Sequence, residues 1–195
     1  MNIFFMYPTL IKHIRRFIKF DDVDALVLMK YIQSHDSKPK EYILSEGQIC
    51  RSYYFVEKGC LRMFFINDKT NEQITQFALD GWWITDYFSF MDEQPSAYYI
   101  QAIEKSKIVV IDKHLMDDLL NALPQLERYF RIVMLRALAA SQLRSRYLYE
   151  MTKEEFYLHF IKSFPEFVQR VPQYMIASYL GLTPEYVNEL RKKNL

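Results

Sequence analysis

Glycine is scarce in this chain of 195 residues: only Gly47, Gly59, Gly81 and Gly181, no two closer than 12 residues. Loops that cradle phosphates need several glycines within one short stretch, because the backbone must approach the anion closely. A dinucleotide-binding fingerprint and a Walker loop are therefore both excluded. Cys50 and Cys60 are the only thiols, and they read as buried, inert side chains. The four histidines, His13, His35, His114 and His159, are scattered, with no metal-ligand spacing, so neither a metal nor another cofactor is expected. No nucleophile motif is present either, and the chain does not read as an enzyme. Long apolar runs are missing: Ile132–Leu135 and Ala137–Ala140 are separated by Arg136, far short of the ~20 residues a membrane span needs. The opening segment Met1–Tyr7 is apolar with no basic stretch before it. It does not read as a signal peptide, and a reducing cytoplasm is the expected setting. A dominant charge is lacking as well, since 25 Lys and Arg offset 24 Asp and Glu. A nucleic-acid surface would have to be a local patch.

What is abundant is apolar material: half of the residues are hydrophobic and 16% aromatic, enough for a packed core. Four zones follow one another. Residues 8–33 have helical texture, with Asp21, Asp22 and Asp24 read as the solvated start of a helix. From Tyr42 to Asp112 short aromatic and β-branched runs alternate with turns at Glu57-Lys58-Gly59, Asn67-Asp68-Lys69, Asp80-Gly81 and Glu104-Lys105-Ser106. That rhythm predicts a small β-sandwich or barrel.

Pro124 to Glu150 carries no glycine or internal proline, and Leu123, Leu126, Phe130, Val133, Ala137, Ala140, Arg144 and Tyr147 recur at spacings of three and four. The pattern predicts a long helix that pairs with a second copy of itself through Leu126, Phe130, Val133, Ala137 and Ala140. From Met151 onward three helices are predicted. Thr152 and Glu155 form a capping box, Gly181 ends the second helix, and Thr183-Pro184-Glu185 opens the third. Helix, short glycine turn, helix is the pattern of a helix-turn-helix.

With these zones in place the chain resembles the Crp/Fnr family, the regulators related to the cyclic-AMP receptor protein and the fumarate-nitrate regulator. Ile43-Leu44-Ser45-Glu46-Gly47 is similar to the family's lead into its β-roll. The run Tyr54 to Arg62 is similar to its hairpin with the turn glycine, and the run VPQYMIASYLGLTPEY over 171–186 is very close to the helix-turn-helix of the Bacteroidetes members. The resemblance implies an α+β fold. It consists of a cyclic-nucleotide-binding-like β-roll (a jelly roll) with N-terminal helices over 1–122, a dimerisation helix over 123–150 and a helix-turn-helix domain over 151–195.

It also implies a homodimeric, DNA-binding transcriptional regulator. The expected partners are a palindromic double-stranded operator, RNA polymerase and a small-molecule effector, with no membrane. The alternative is a ligand-sensing or protein-interaction module that keeps the fold and has lost specific DNA binding. The resemblance places Gln173, Thr183, Glu185, Tyr186, Asn188, Glu189, Arg191 and Lys192 at the DNA, with Glu185 as an acceptor for cytosine. At the position where the family carries a base-reading arginine this chain has Glu189. Twelve residues follow Thr183, so the family's β-wing is not expected.

The effector pocket departs as well. Thr85-Asp86 falls where nucleotide-binding members hold the ribose with Gly-Glu, and Ser96-Ala97 falls where an Arg-Ser pair clamps the phosphate. Without that arginine a cyclic phosphodiester loses its bidentate, charge-assisted contact, so the effector is not expected to be cyclic AMP. Trp83, Thr85, Asp86, Ser96 and Ala97 are the candidate pocket residues. The aromatic surroundings, Trp82, Trp83, Tyr87, Phe88, Phe90, Tyr98 and Tyr99, fit either a pocket for an uncharged ligand or plain core packing.

Overall fold

A computed structural model describes residues 7–194; the segment Met1–Tyr7 discussed above lies, apart from Tyr7, outside them. Helix α1 (Pro8–Arg15) starts at a proline, whose missing N–H is no loss in a first turn. It buries Leu10, Ile11 and Ile14. The carboxylate of Glu57 accepts from the Thr9 and Leu10 amides at 2.7 and 3.0 Å and so caps that helix from 47 residues away. In α2 (Asp22–Leu28) the acidic start is a capping box: Asp21 accepts from the Val23 and Asp24 amides, and Asp24 accepts from the Asp21 amide.

Eight strands follow: β1 (Gln33–Ser37), β2 (Tyr42–Leu44), β3 (Ser52–Lys58), β4 (Leu61–Ile66), β5 (Glu72–Ala78), β6 (Trp83–Ile84), β7 (Tyr99–Ala102) and β8 (Ser106–Asp112), with helix α3 (Tyr87–Asp92) between β6 and β7. They form two four-stranded sheets in the orders β1-β8-β3-β6 and β2-β7-β4-β5. The β3–β8 ladder is antiparallel, pairing Tyr54 with Val110 and Phe55 with Val109. Alternation along these strands splits their side chains between two cores. Tyr54, Val56, Leu61, Ile84, Ile100 and Ile108 fill the space between the sheets. Phe55, Trp83, Val109 and Ile111 point the other way, into a core closed by the helices. Strands buried on both faces have no polar side to show, so their sequences read as nearly continuous apolar runs. Gly59 ends β3 at φ +119°, and a Cβ there would collide with the Ser106 side chain; only glycine fits that turn.

Helix α4 (Lys113–Ala122) leads to α5 (Gln125–Glu150), followed by α6 (Lys153–Ser163), α7 (Pro165–Arg170), α8 (Gln173–Leu180) and α9 (Pro184–Asn194). Packing divides the chain into two units. One comprises 1–65 and 76–134; the other comprises 66–75 and 135–195. The division differs from the expected boundaries at 122 and 150. It cuts α5 after Met134, because the first turns of that helix belong to the core of the roll. It also assigns the tip between β4 and β5 to the helix-turn-helix unit. Within that second unit the Ser178 hydroxyl on α8 accepts from the Ile74 amide at 3.0 Å and donates to the Glu72 carbonyl at 2.7 Å. The Gln73 side-chain amide donates to the Ser178 carbonyl. Among the described residues no helix is long and apolar enough to cross a membrane.

Candidate nucleic-acid interface and effector cassette

The helix-turn-helix is built by local chemistry. Helix α8 ends at Gly181 in the left-handed conformation, φ 69°, which glycine adopts without the steric penalty of a Cβ. The Thr183 hydroxyl accepts from the Tyr186 amide at 3.2 Å and caps α9. Thr183 therefore spends its hydroxyl on the helix start. Val187 and Leu190 are buried, at 0% and 3% exposure, while Glu185, Asn188, Glu189, Arg191 and Lys192 are exposed and Tyr186 is half-buried. At 100° per residue, 185, 188, 189 and 192 share the face opposite the buried stripe. Four of the proposed contact residues thus stand on one outward face.

Gln173 opens α8 after Pro172, which offers no side-chain cap. The Gln173 Nε2 is buried and has no hydrogen-bond partner among the described residues. Lys193 bonds Glu154 on α6 at 3.1 Å, so that cation anchors α9 to its own unit. Glu189 has no ion-pair partner among the described residues.

The effector residues do not all face the same way. Trp83 faces the helical core, where its Nε1 donates to the Tyr129 hydroxyl at 2.8 Å. That corrects its expected place in the pocket, because β6 alternation sends Trp83 outward and Ile84 inward. The Thr85 hydroxyl donates to the Ser52 carbonyl at 2.8 Å and lies 3.2 Å from the Cys50 sulfur. Asp86 caps α3: one carboxylate oxygen accepts from the Phe88 and Ser89 amides at 3.1 and 3.2 Å. The other accepts from the Ser96 hydroxyl at 2.7 Å. Ala97 is exposed. Of the five residues Asp86 and Ser96 are joined by a side-chain hydrogen bond, and their remaining side-chain polar contacts go to the α3 amides and to the Tyr98 main chain.

The seam on α5 also needs correcting. Leu126 is 1% exposed and lies in the core of the roll, and Phe130 and Val133 pack against that core. Farther along, the Arg144 guanidinium lies over the Tyr179 ring at 4.3 Å and donates to the Tyr179 carbonyl. Tyr147 packs edge-on against His159. At its two ends the three-four stripe thus packs on this chain's own elements, since periodicity reports burial and not which partner supplies it. Ala137 and Ala140 remain exposed, as do Leu135 and Leu138 at 55% and 56%.

Sequence reasoning missed two buried polar groups. Tyr129 joins Trp83 to His13, whose Nδ1 is 2.7 Å from the same hydroxyl, and burial pushes that phenol well above its ordinary value. Arg62 is buried on β4, with Nε and Nη2 donating to Gln101 at 3.0 and 2.7 Å and its guanidinium 4.2 Å over Phe64. Its spacing from Phe64 was a readable sign that the two share a face. Gln101 sits on another strand, and no local signal announces it. Both cysteines are buried, as expected, and among the described residues neither forms a disulfide.

Comparison with known proteins gives these features a context. Residues 35–122 match the model of the cyclic nucleotide-binding domain. Over 185 residues the chain is 28% identical to the transcriptional activator protein Anr of Pseudomonas protegens, covering 89% of this chain and 74% of that one. It is 26% identical to the fumarate and nitrate reduction regulatory protein of Vibrio cholerae, spanning 76% of this chain and 63% of the relative. The chain is thus similar to transcriptional regulators of the Crp/Fnr kind, and its residues 35–122 resemble a cyclic nucleotide-binding domain. The fold is shared with FixK2 from Bradyrhizobium japonicum, at a TM-score of 0.68 with 83% of each chain covered and 18% identity. It is shared too with the global regulator CLP of Xanthomonas campestris, at a TM-score of 0.72, 89% and 91% coverage and 12% identity. The segment 85–97, the candidate effector cassette, falls inside the matched domain, and α8 and α9 lie beyond it.

Proposed function

We propose that this chain is a transcriptional regulator of the Crp/Fnr family, a cytoplasmic homodimer that binds a palindromic operator through α8 and α9 and takes no cyclic AMP. The observation that carries the reading is the construction of α9: a capped helix after a left-handed glycine turn, with Val187 and Leu190 buried and Glu185, Asn188, Glu189 and Lys192 aligned outward. A helix so presented is what enters a major groove, with side chains toward base edges and flanking cations toward phosphates. Two copies are needed to read two half-sites about one helical turn apart. Leu135 and Leu138, exposed and on one face of α5, offer apolar surface for pairing. Against cyclic AMP stands the cassette: Asp86 places a carboxylate beside Ser96, where a phosphodiester would need a cation.

Selection of bound sequences from random duplex DNA tests the reading. A recovered inverted repeat supports it. Recovery of nothing at low salt favours the rival, an interaction module on the same fold that no longer binds an operator. The unpaired anion at Glu189 is the feature that speaks for that rival, since phosphate neutralisation dominates binding to DNA.

A further inference from the structure

The outward face of α9 is acidic at its centre. Glu185 and Glu189 stand one turn apart, with Asn188 beside them and Lys192 one turn farther on. Among the described residues no cation pairs with Glu189: the nearby Lys193 turns aside to Glu154, with both carboxylate oxygens within 3.2 Å of its Nζ. An ionised carboxylate accepts hydrogen bonds and donates none. In the major groove the only strong donors are the exocyclic amino groups, N4 of cytosine and N6 of adenine, whereas guanine presents N7 and O6, both acceptors. Facing guanine, Glu189 would leave an anion against two acceptors and the phosphates, with its hydration stripped. Facing an amino group, the same carboxylate makes a charge-assisted bond.

We propose that Glu189 is a specificity-determining residue: with Glu185 it selects bases carrying amino donors at two positions of each half-site, and it rejects guanine at its own. The proposal rests on the DNA-binding reading above. The spacing follows from the helix. Four residues at 1.5 Å rise place the two carboxylates about 6 Å apart along the axis. Base pairs stack about 3.4 Å apart, so the two selected positions lie roughly two steps from each other. Asn188, which carries both a donor and acceptors, suits an adenine nearby. Lys192, farther along the face, suits a phosphate.

The experiment is selection from random duplex DNA with the wild type, Glu189→Ala and Glu189→Gln, each checked for an unchanged circular dichroism spectrum. The wild type should enrich a palindrome whose half-site holds cytosine or adenine at two positions about two steps apart. Glu189→Ala should flatten one of those positions by about tenfold and leave the other intact. Glu189→Gln should move that position toward adenine, which a side-chain amide can pair in bidentate fashion. A motif identical in all three proteins overturns the role of Glu189 while leaving operator binding standing. If the wild type enriches no sequence, the DNA-binding reading itself falls and this proposal falls with it.

Discussion

The Ser96 hydroxyl donates to Asp86 at 2.7 Å, and the other oxygen of the same carboxylate takes the Phe88 and Ser89 amides. Two loops of the cassette are thereby joined by an anion that belongs to the protein. Asp86 and Ser96 are both buried, so a ligand phosphate brought to this place meets a like charge and no guanidinium. Calorimetric titration with cyclic AMP should show no binding tighter than about millimolar. A micromolar constant would mean that the cassette opens and another cation reaches the phosphate. Asp86→Ala should lower stability by about 1 kcal/mol, the cost of a lost helix cap, read as a lower Tm.

Ser178 provides a second test. β5 lies at the edge of its sheet, and edges leave unpaired main-chain groups exposed. The Ser178 hydroxyl serves the Ile74 amide and the Glu72 carbonyl together, as a neighbouring strand would. Ser178→Ala should weaken the hold on the hairpin tip by about 1 kcal/mol per hydrogen bond lost. Hydrogen exchange at the Ile74 amide should quicken severalfold; unchanged exchange there would remove Ser178 from this role.

Much of this was legible in advance because it is local. The capping box at Thr152, the turn at Gly181 and the buried pair Val187 and Leu190 each depend on residues within one turn of each other. What escaped depends on partners far along the chain. β1 is a strand although Gln33–Ser37 is polar and mostly exposed, because the β8 ladder recruits it. Trp83 looked like a pocket residue, yet strand alternation turns it toward Tyr129, 46 residues away. The α5 stripe was visible, but no spacing could say that Leu126 faces the chain's own roll. Glu57, buried as the cap of α1, has no sequence signature at all.

Dimerisation is best tested on the exposed side of α5. Val133 packs on the roll core, so a charge there would damage the fold as well as any interface. Leu138 is 56% exposed. Leu138→Glu should leave the Tm nearly unchanged, within about 0.5 kcal/mol in stability, and should shift sedimentation from dimer to monomer at micromolar concentration. A wild type that sediments as a monomer there sinks the pairing.

Alkaline titration probes the aromatic side of the cassette. Burial, reinforced by the neighbouring Tyr53, pushes the Tyr87 phenol up to about 12. The folded value lies above the unfolded one near 10, so the native state holds the proton longer. Its contribution to stability is complete below about pH 10 and is lost as the pH rises through 12. The wild type should therefore lose Tm between pH 9 and pH 11 more steeply than Tyr87→Phe, which has no phenol to ionise. Equal slopes would show that Tyr87 ionises as freely as in the unfolded chain.

The charge at Glu189 can be read by salt dependence alone, without knowing the operator. Binding to generic duplex DNA is governed by counterion release, and each phosphate neutralised contributes about 0.9 to the slope of log affinity against log salt. Glu189 is exposed, unpaired and in line with Glu185, Asn188 and Lys192. Glu189→Arg should thus raise affinity for mixed-sequence DNA and steepen the slope by about 0.9 for one added phosphate contact. Lys192→Ala should lower the slope by a similar amount, because a phosphate contact is lost. Glu185→Ala should leave the slope nearly alone and cost about 1–3 kcal/mol at a single base pair of the operator. The three outcomes separate base reading from backbone attraction on one helix. If Glu189→Arg changes neither affinity nor slope, α9 does not meet DNA with this face.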